Sequence, residues 1–531
     1  MNLSGPAIAP LALLAPLAVA VVALPLVGRH LALVRAGTIA ARLGILVAVG
    51  AAGLVFADGS VTSATLGIGL VGASLRLDPL SVTMLLMITI LAEVIFRYSC
   101  TYLEGDPRRD HFLRWLAATI AAVEMLVVAG NLAVLVVAWI ATSLALHQLL
   151  VFRGERPRAR LAARKKFVVA RIGDVLLVTA AVILLAHFGT GDLGDIFAAA
   201  SNSTATWQLG AVTVAALCLA LAACLKSAQF PTHGWLVEVM EAPTPVSALL
   251  HAGILNAGPF LAIRMAYVLD GSKSATTLLI LVGGFTAGFA SVVLLTQPSV
   301  KVQLGYSSAA HMGFMLMVCG LGFYPAALLH LVAHSFYKAH AFLSSGSVVD
   351  EHRAHSVRLP RRLGSPVRVV ASALVALAWY VPLAMLWGVD LGAPTTLLIG
   401  AVLLLGTTQL VAPALDSDGP VAGTVRAALL ALAVTGSFFA LETGAHSLLA
   451  DTVPEAVSRD LAQVLLAFVI LAAFTLIVTT QILAPARAGG RRRAALAVHL
   501  RNGLYANAWF DRLAGALRTN QQGVVRPAVR A

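Results

Sequence analysis

Long apolar runs alternate with short polar joints along almost the whole chain. About fifteen runs reach the roughly twenty residues that a helix needs to cross a bilayer. They fall at 7–27, 36–57, 79–100, 112–130, 131–152, 168–188, 209–229, 243–268, 275–296, 302–322, 325–346, 367–388, 394–413, 423–442 and 459–483. None alternates with the period of two that an outer-membrane barrel strand requires. The pattern predicts an all-α polytopic membrane protein. The first run has no basic region before it and no small-residue cleavage site, so it reads as a span rather than a leader.

Composition agrees with this reading. Mean hydropathy is +0.89, and 59% of residues are hydrophobic against 11% charged, less than half the charged share of soluble domains. The net charge of +13 could suggest nucleic acid, but its placement does not. Basic residues concentrate in alternate joints, such as "RGERPRARLAARKK" and "DEHRAHSVRLPRRLGSPVR", while "HFGTGDLGDIFAAASNSTATWQ" and "LETGAHSLLADTVPEAV" hold almost none. That is the positive-inside pattern, with the N-terminus outside and the C-terminus in the cytoplasm. Cys100, Cys218, Cys224 and Cys319 show neither metal-ligand nor redox spacing. After the last run, Leu500, Leu504, Trp509, Leu513 and Leu517 share one face of an amphipathic stretch, which suits a helix lying on the membrane surface.

Ionisable residues within apolar runs cost several kcal/mol unless they are paired or hydrated, so each is a functional candidate. Glu93, Glu124, Asp174, Lys226, His251, Lys301 and His311 are of this kind. In "LLHLVAHSFYKAHAFL", His330, His334 and Lys338 recur every four residues and form one helical stripe. Three groups in register suit proton or cation passage. Plainer readings stand beside this one. Lys301 and Lys226 can reach to an interface, Arg171 and Asp174 can satisfy each other, and His251 can be an ordinary hydrogen-bonded bundle residue. The pair His330 and His334 has metal-ligand spacing, but no nearby carboxylate or thiol completes a set, so no metal is expected. Pro231, Pro243 and Pro245 break the chain between Lys226 and His251, and broken helices are tolerated at membrane depth where they line a hydrated cavity.

The stretch "LKSAQFPTHGWLVEVMEAPTPVSALLHAG" resembles the signature of the antiporter-like subunits of respiratory complex I and of Mrp-type cation/proton antiporters. "LDPLSVTMLLMITI", "VVARIGDVLL", "KVQLGYSSAAHMGFM" and "LLHLVAHSFYKAHAFLSSGSVV" extend the resemblance from Asp78 to Val349. It implies an antiporter-like fold with two inverted five-helix repeats and with helices 7 and 12 broken. The domains are then 1–110 with three spans, 111–270 and 271–415 as the repeats, 416–485 with two further spans, and 486–531 as a basic cytoplasmic tail. It also implies that Lys226 is the central lysine, that His251 and Lys301 link the halves, and that His330, His334 and Lys338 form the exit branch.

The chain departs from that pattern in two places. The family's glutamate in the fifth span is expected within "AWIATSL", where this chain has Ile140, leaving Glu124 and Glu93 as the carboxylates placed to substitute. The twelfth span keeps Pro382 but no lysine or glutamate. With "HAGILNAGPFLAIR" and "LRNGLYANAWFDRL", these departures look most like the DabB-type membrane subunits of two-component DAB inorganic carbon transporters. This implies a bacterial inner-membrane complex with a cytoplasmic carbonic-anhydrase-like DabA-type partner. Zinc is expected on that partner, and no cofactor in this chain. The chain is expected to be no enzyme itself, since it shows no phosphate loop and no nucleophile–base pair. The alternatives are a subunit of a Mrp-type antiporter or of a complex I-like or hydrogenase-like pump, and a purely structural anchor.

Overall fold

The computed structural model describes residues 5–25, 27–28, 30–67, 72–202, 210–346, 364–391, 394–455, 459–483 and 491–513. Every apolar run of the sequence coincides with helix, and the helices keep the ordinals of their runs. Among the described residues, eleven helices are long and apolar enough to cross a membrane. The runs outside that set are Arg109–Val127, Ala211–Lys226, Val300–Gly320 and Tyr324–Leu343. These are the helices that carry Glu124, Lys226, His311 and the His330–Lys338 stripe. The chain is a multi-pass helical membrane protein, and its other titratable candidates, Glu93, Asp174 and His251, lie in helices of the eleven-span set. The basic joint at 350–363 lies outside the described residues.

Three boundaries differ from the sequence expectation. The sixth helix, Pro157–Phe188, begins eleven residues before its apolar run. Pro157 fits the first turn, where its missing N–H costs nothing, so "RLAARKK" is helix and not loop. The fourteenth helix, Val421–Leu449, runs on through Glu442 and His446, which read as joint. The twelfth helix, Pro366–Leu386, continues through Pro382, so the expected break there is not made. The break expected in the seventh helix is made, and a second falls in the eighth. Ala211–Lys226 stops, and helix resumes at Gly234–Glu238. Thr244–Ala252 and Ala257–Arg264 are separated by the short 3-10 turn Ile254–Asn256.

The seventh-helix break is polar and partly hydrogen-bonded, with Gln229 Oε1 and His233 Nδ1 left without a partner among the described residues. Ser227 Oγ donates to the Leu255 carbonyl at 2.8 Å, and the Phe230 N–H donates to Thr286 Oγ1 at 3.1 Å. Gln229 Nε2 donates to the Ser227 carbonyl at 2.8 Å. Buried backbone groups freed by a break would otherwise cost several kcal/mol each. The side chains of Ser227, Gln229 and Thr286 therefore help to hold this non-helical stretch in place.

Packing rests on small residues where helices touch closely. In the ninth and tenth helices, Lys273–Leu294 and Val300–Gly320, a Cβ on Gly313 would stand 2.6 Å from the Gly283 carbonyl oxygen. Ion pairs close the ends of the bundle. Arg264 Nη1 meets Asp78 Oδ2 at 2.5 Å, its Nη2 donates to Ser81 Oγ at 2.6 Å, and Arg76 Nε adds a contact of 2.8 Å to the same carboxylate. Arg459 and Tyr324 both donate to Asp270 Oδ1, at 2.6 and 2.8 Å. A two-stranded ribbon, Val61–Thr62 against Arg76–Leu77, leads the chain into the third helix.

The tail forms two helices, Arg491–Arg501 and Ala506–Leu513, kinked at Gly503–Tyr505, where Leu504 and Tyr505 take positive φ. It docks on the protein; of the apolar face that the sequence suggested, Leu504 falls in the kink and Leu517 lies outside the described residues. Gln297 Nε2 donates to the Arg501 carbonyl at 3.1 Å, and Asn507 Nδ2 donates to Glu238 Oε1 at 2.6 Å. Asn507 sits so close over Gly234 that a Cβ there would stand 1.8 Å from its amide oxygen.

Candidate functional site: a polar axis through the bundle

Lys226 ends the first half of the seventh helix. Its Nζ donates to the Trp139 carbonyl at 3.3 Å and lies 4.2 Å from the centroid of the Trp139 ring. Asp174 is the carboxylate whose charge acts on Lys226, and it also meets Arg171 Nη2 at 2.5 Å. Two turns earlier on the sixth helix, buried Lys166 donates to both the carbonyl and the Oγ of Ser143, each at 2.9 Å. Lys166 and Lys226 are electrostatic neighbours. Next to it, Lys165 donates to Glu238 Oε1 at 2.7 Å, the same oxygen that Asn507 of the tail engages.

Neither substitute carboxylate reaches this centre. Glu124 is 1% exposed, and its oxygens find no hydrogen-bond partner among the described residues. Its Oε1 lies 3.8 Å from where a Gly44 Cβ would stand, so it faces the second helix, Leu31–Asp58, and it is not among the charges acting on Lys226. Glu93 pairs with Arg42 at 3.3 Å and Arg97 at 3.9 Å, both largely exposed, on the flank of the third helix. The carboxylate expected to pair with Lys226 is therefore Asp174, and Glu124 and Glu93 stand apart. Contacts between distant segments decide this, and a single sequence does not display them.

On the other side of the break the axis continues. His251 is fully buried and stacks on Phe342 with ring centroids 4.4 Å apart, its ring nitrogens unpartnered among the described residues. Lys338 is equally buried, and its Nζ donates to Ser307 Oγ at 2.7 Å and to the Leu304 carbonyl at 3.2 Å. The Lys338 charge acts on both His251 and His334. Lys301 is half-buried and donates to Thr244 Oγ1 at 3.0 Å, joining the tenth helix to the start of the eighth.

His311 and His330 meet directly, Nδ1 to Nε2 at 2.9 Å, and the His311 ring centroid lies 5.0 Å from that of His334. The tenth helix thus supplies a third imidazole to the pair that the sequence singled out. His311 and His330 also line a cavity of about 640 Å³ between the ninth, tenth, eleventh, thirteenth, fourteenth and fifteenth helices. Its walls are mostly aliphatic, with Ser307, Thr407 and Gln409 among the polar exceptions.

Sequence reasoning missed Lys165, Lys166, Glu238 and Trp139. The two lysines were hidden in a basic run that reads as a loop, although Pro157 is a signal for a helix start ahead of them. Nothing in the sequence marks Trp139 apart from other apolar positions.

The comparisons with known proteins follow this geometry. Residues 129–414 match the family described as NADH:quinone oxidoreductase/Mrp antiporter, and residues 68–113 match the complex I chain 5 N-terminus. A probable inorganic carbon transporter subunit, DabB2 of Halothiobacillus neapolitanus, is 38% identical over 455 residues, covering 84% of this chain and 81% of that protein. The probable subunit DabB of Hydrogenovibrio crunogenus is 43% identical over 330 residues, 61% of this chain and 62% of that one. In fold, the chain is similar to a subunit in the structure of the Mrp complex from Dietzia sp. DQ12-45-1b, with a TM-score of 0.63 and 24% identity over 96% of this chain and 60% of that chain. The chain belongs to the NADH:quinone oxidoreductase/Mrp antiporter family of membrane subunits.

Proposed function

We propose that this chain is the proton-conducting, or sodium-conducting, membrane subunit of an energy-coupled inorganic carbon uptake complex. One observation carries the reading. Buried and half-buried cationic and imidazole groups run from Lys166 and Lys226, past the helix break to His251, and on through Lys338 to His334, His311 and His330. Groups this costly to bury are kept where charge must pass. The carbon substrate is supported by the likeness to proteins named as probable inorganic carbon transporter subunits.

In this reading Lys226 is the switch. An arriving proton or cation disturbs its balance between Asp174 and the Trp139 face, and His251 and Lys338 relay the change. Lys301 holds the joint between halves, and the three histidines form the exit. Glu124, buried without a partner among the described residues, serves a separate entrance, and Glu93 modulates it from the flank. Hydration of carbon dioxide takes place on a cytoplasmic zinc-bearing partner of the carbonic-anhydrase-like DabA type. The chain spans a bacterial inner membrane, with its N-terminus outside and its basic tail in the cytoplasm.

The test is bicarbonate accumulation in cells expressing the complex, with and without an uncoupler. Lys226→Ala should abolish accumulation while the protein still reaches the membrane; unchanged accumulation overturns the assignment. A second reading, a subunit of a Mrp-type antiporter or complex I-like pump, is favoured by the family match over residues 129–414. Purification in mild detergent separates the two. One large soluble zinc protein supports carbon uptake, and several small hydrophobic companions support the second reading.

A further inference from the structure

We propose that His311, His330 and His334 form a binding site for a zinc-type divalent cation, and that occupancy shuts the exit branch of the conducting axis. One ligand nitrogen from each residue can be chosen so that all three lie within 4.8 Å of one another. Three neutral imidazoles around an open fourth position is a recurrent zinc arrangement, with Zn–N distances of about 2.0–2.1 Å. Tetrahedral geometry at those distances separates ligand nitrogens by roughly 3.3 Å. The 2.9 Å between His311 and His330 must therefore open slightly, and the remaining separations must close. The site therefore requires the imidazole rings to turn about their side-chain bonds.

The histidines are unequally committed. His334 is 4% exposed, and both its ring nitrogens lack a hydrogen-bond partner among the described residues. A buried imidazole with no partner is an unsatisfied ligand. His311 and His330 already share one hydrogen bond, so whichever ring donates must move its proton to its other nitrogen before both can bind metal. The 640 Å³ cavity beside His311 and His330 leaves room for a water as fourth ligand.

The consequence follows from position. His334 is one helical turn before Lys338, and charge leaving Lys338 meets the cluster next. A doubly charged ion there repels any cation on Lys338 and removes the lone pairs that would carry a proton. Occupancy and conduction are then mutually exclusive. The inhibitory part of the proposal rests on the conducting role proposed above, whereas the metal site does not.

The site is tested on the purified full chain in detergent, with cobalt as a spectroscopic probe and zinc as competitor. One equivalent of cobalt should give the visible absorption of a four-coordinate site with three imidazoles and a water, and zinc should displace it. His334→Ala and His311→Ala, each checked for monodisperse elution, should weaken binding at least tenfold. Binding that is unchanged in both variants, or absent from the parent, overturns the site. In proteoliposomes zinc should block proton flux in the parent, with at least tenfold more needed in either variant. Zinc bound at the histidines without effect on a measurable flux overturns the inhibitory role. A chain that binds cobalt as described but carries no flux without metal overturns the conducting function and leaves the metal site standing.

Discussion

Lys226 meets Trp139 twice, at the carbonyl oxygen 3.3 Å away and over the indole ring 4.2 Å away. Both contacts satisfy a cation without a full negative charge. This arrangement stands beside Ile140, where the family resemblance places a glutamate, and it shows how a lysine is kept there without one. A cation over a desolvated indole gains roughly 0.5–2 kcal/mol. Trp139→Leu keeps the carbonyl and removes the ring, so carbon accumulation should fall roughly two- to thirtyfold. Initial uptake rates at matched expression check this.

Asp174 is the other half of the lysine's environment. Asp174→Asn should lower uptake at least tenfold, because Lys226 then faces only Arg171, Lys166 and neutral dipoles. Ile140→Glu alone should leave function intact or raise it. In the double variant the new carboxylate should restore at least half of what Asp174→Asn loses. Failure of the rescue in a folded protein would show that Asp174 acts through Arg171 and not on the lysine.

Asp78 ties the third helix to Arg264 on the eighth. Burial alone raises a carboxyl pKa, but the charges and hydrogen bonds of Arg264, the charge of Arg76 and the Ser81 N–H outweigh it and hold Asp78 well below the usual range. A group depressed in the folded state contributes stability that is full above its unfolded pKa of about 3.9 and is lost as pH falls below it. Thermal unfolding in detergent should therefore be insensitive to Asp78 titration between pH 5 and pH 8 and decline in more acid solution, as far as this group sets it. Asp78→Asn should destabilise by about 3–5 kcal/mol between pH 5 and pH 8, because buried Arg264 loses its charged partner, and by less in strong acid.

The tail supplies a prediction independent of transport. Gly234→Ala places a methyl group where the Asn507 amide sits, so the tail must lift or shift. Amide exchange within 491–513 should accelerate at least tenfold, and Asn507→Ala should do the same more mildly. Unchanged exchange in Gly234→Ala would show that the tail is held by Gln297 and the 503–505 kink alone.

Helix placement was legible because a bilayer demands about twenty apolar residues per crossing. The His330–His334–Lys338 stripe was legible because spacing along one helix fixes which side chains align. Contacts across helices were not. His311 joins the stripe from nineteen positions away, and Asp78 meets Arg264 across 186. Pro382 reads as a break, yet its helix continues through it, whereas the eighth helix is interrupted at Ile254–Asn256, where Pro259 has no N–H to give the Leu255 carbonyl. Proline marks where an interruption is cheap, and packing decides whether it occurs.

The seventh helix ends at Lys226 inside the bundle, not at its edge. Aligned peptide dipoles leave the C-terminal end of a helix with the equivalent of roughly half a negative charge. The lysine therefore sits in a field made by backbone alone, which no side-chain substitution removes. In Lys226→Ala the truncated side chain leaves space facing that field and the Trp139 ring. A small primary amine added to the medium is drawn to the same place, and partial recovery of transport with methylamine or ethylamine is the signature of a main chain that selects for positive charge by itself.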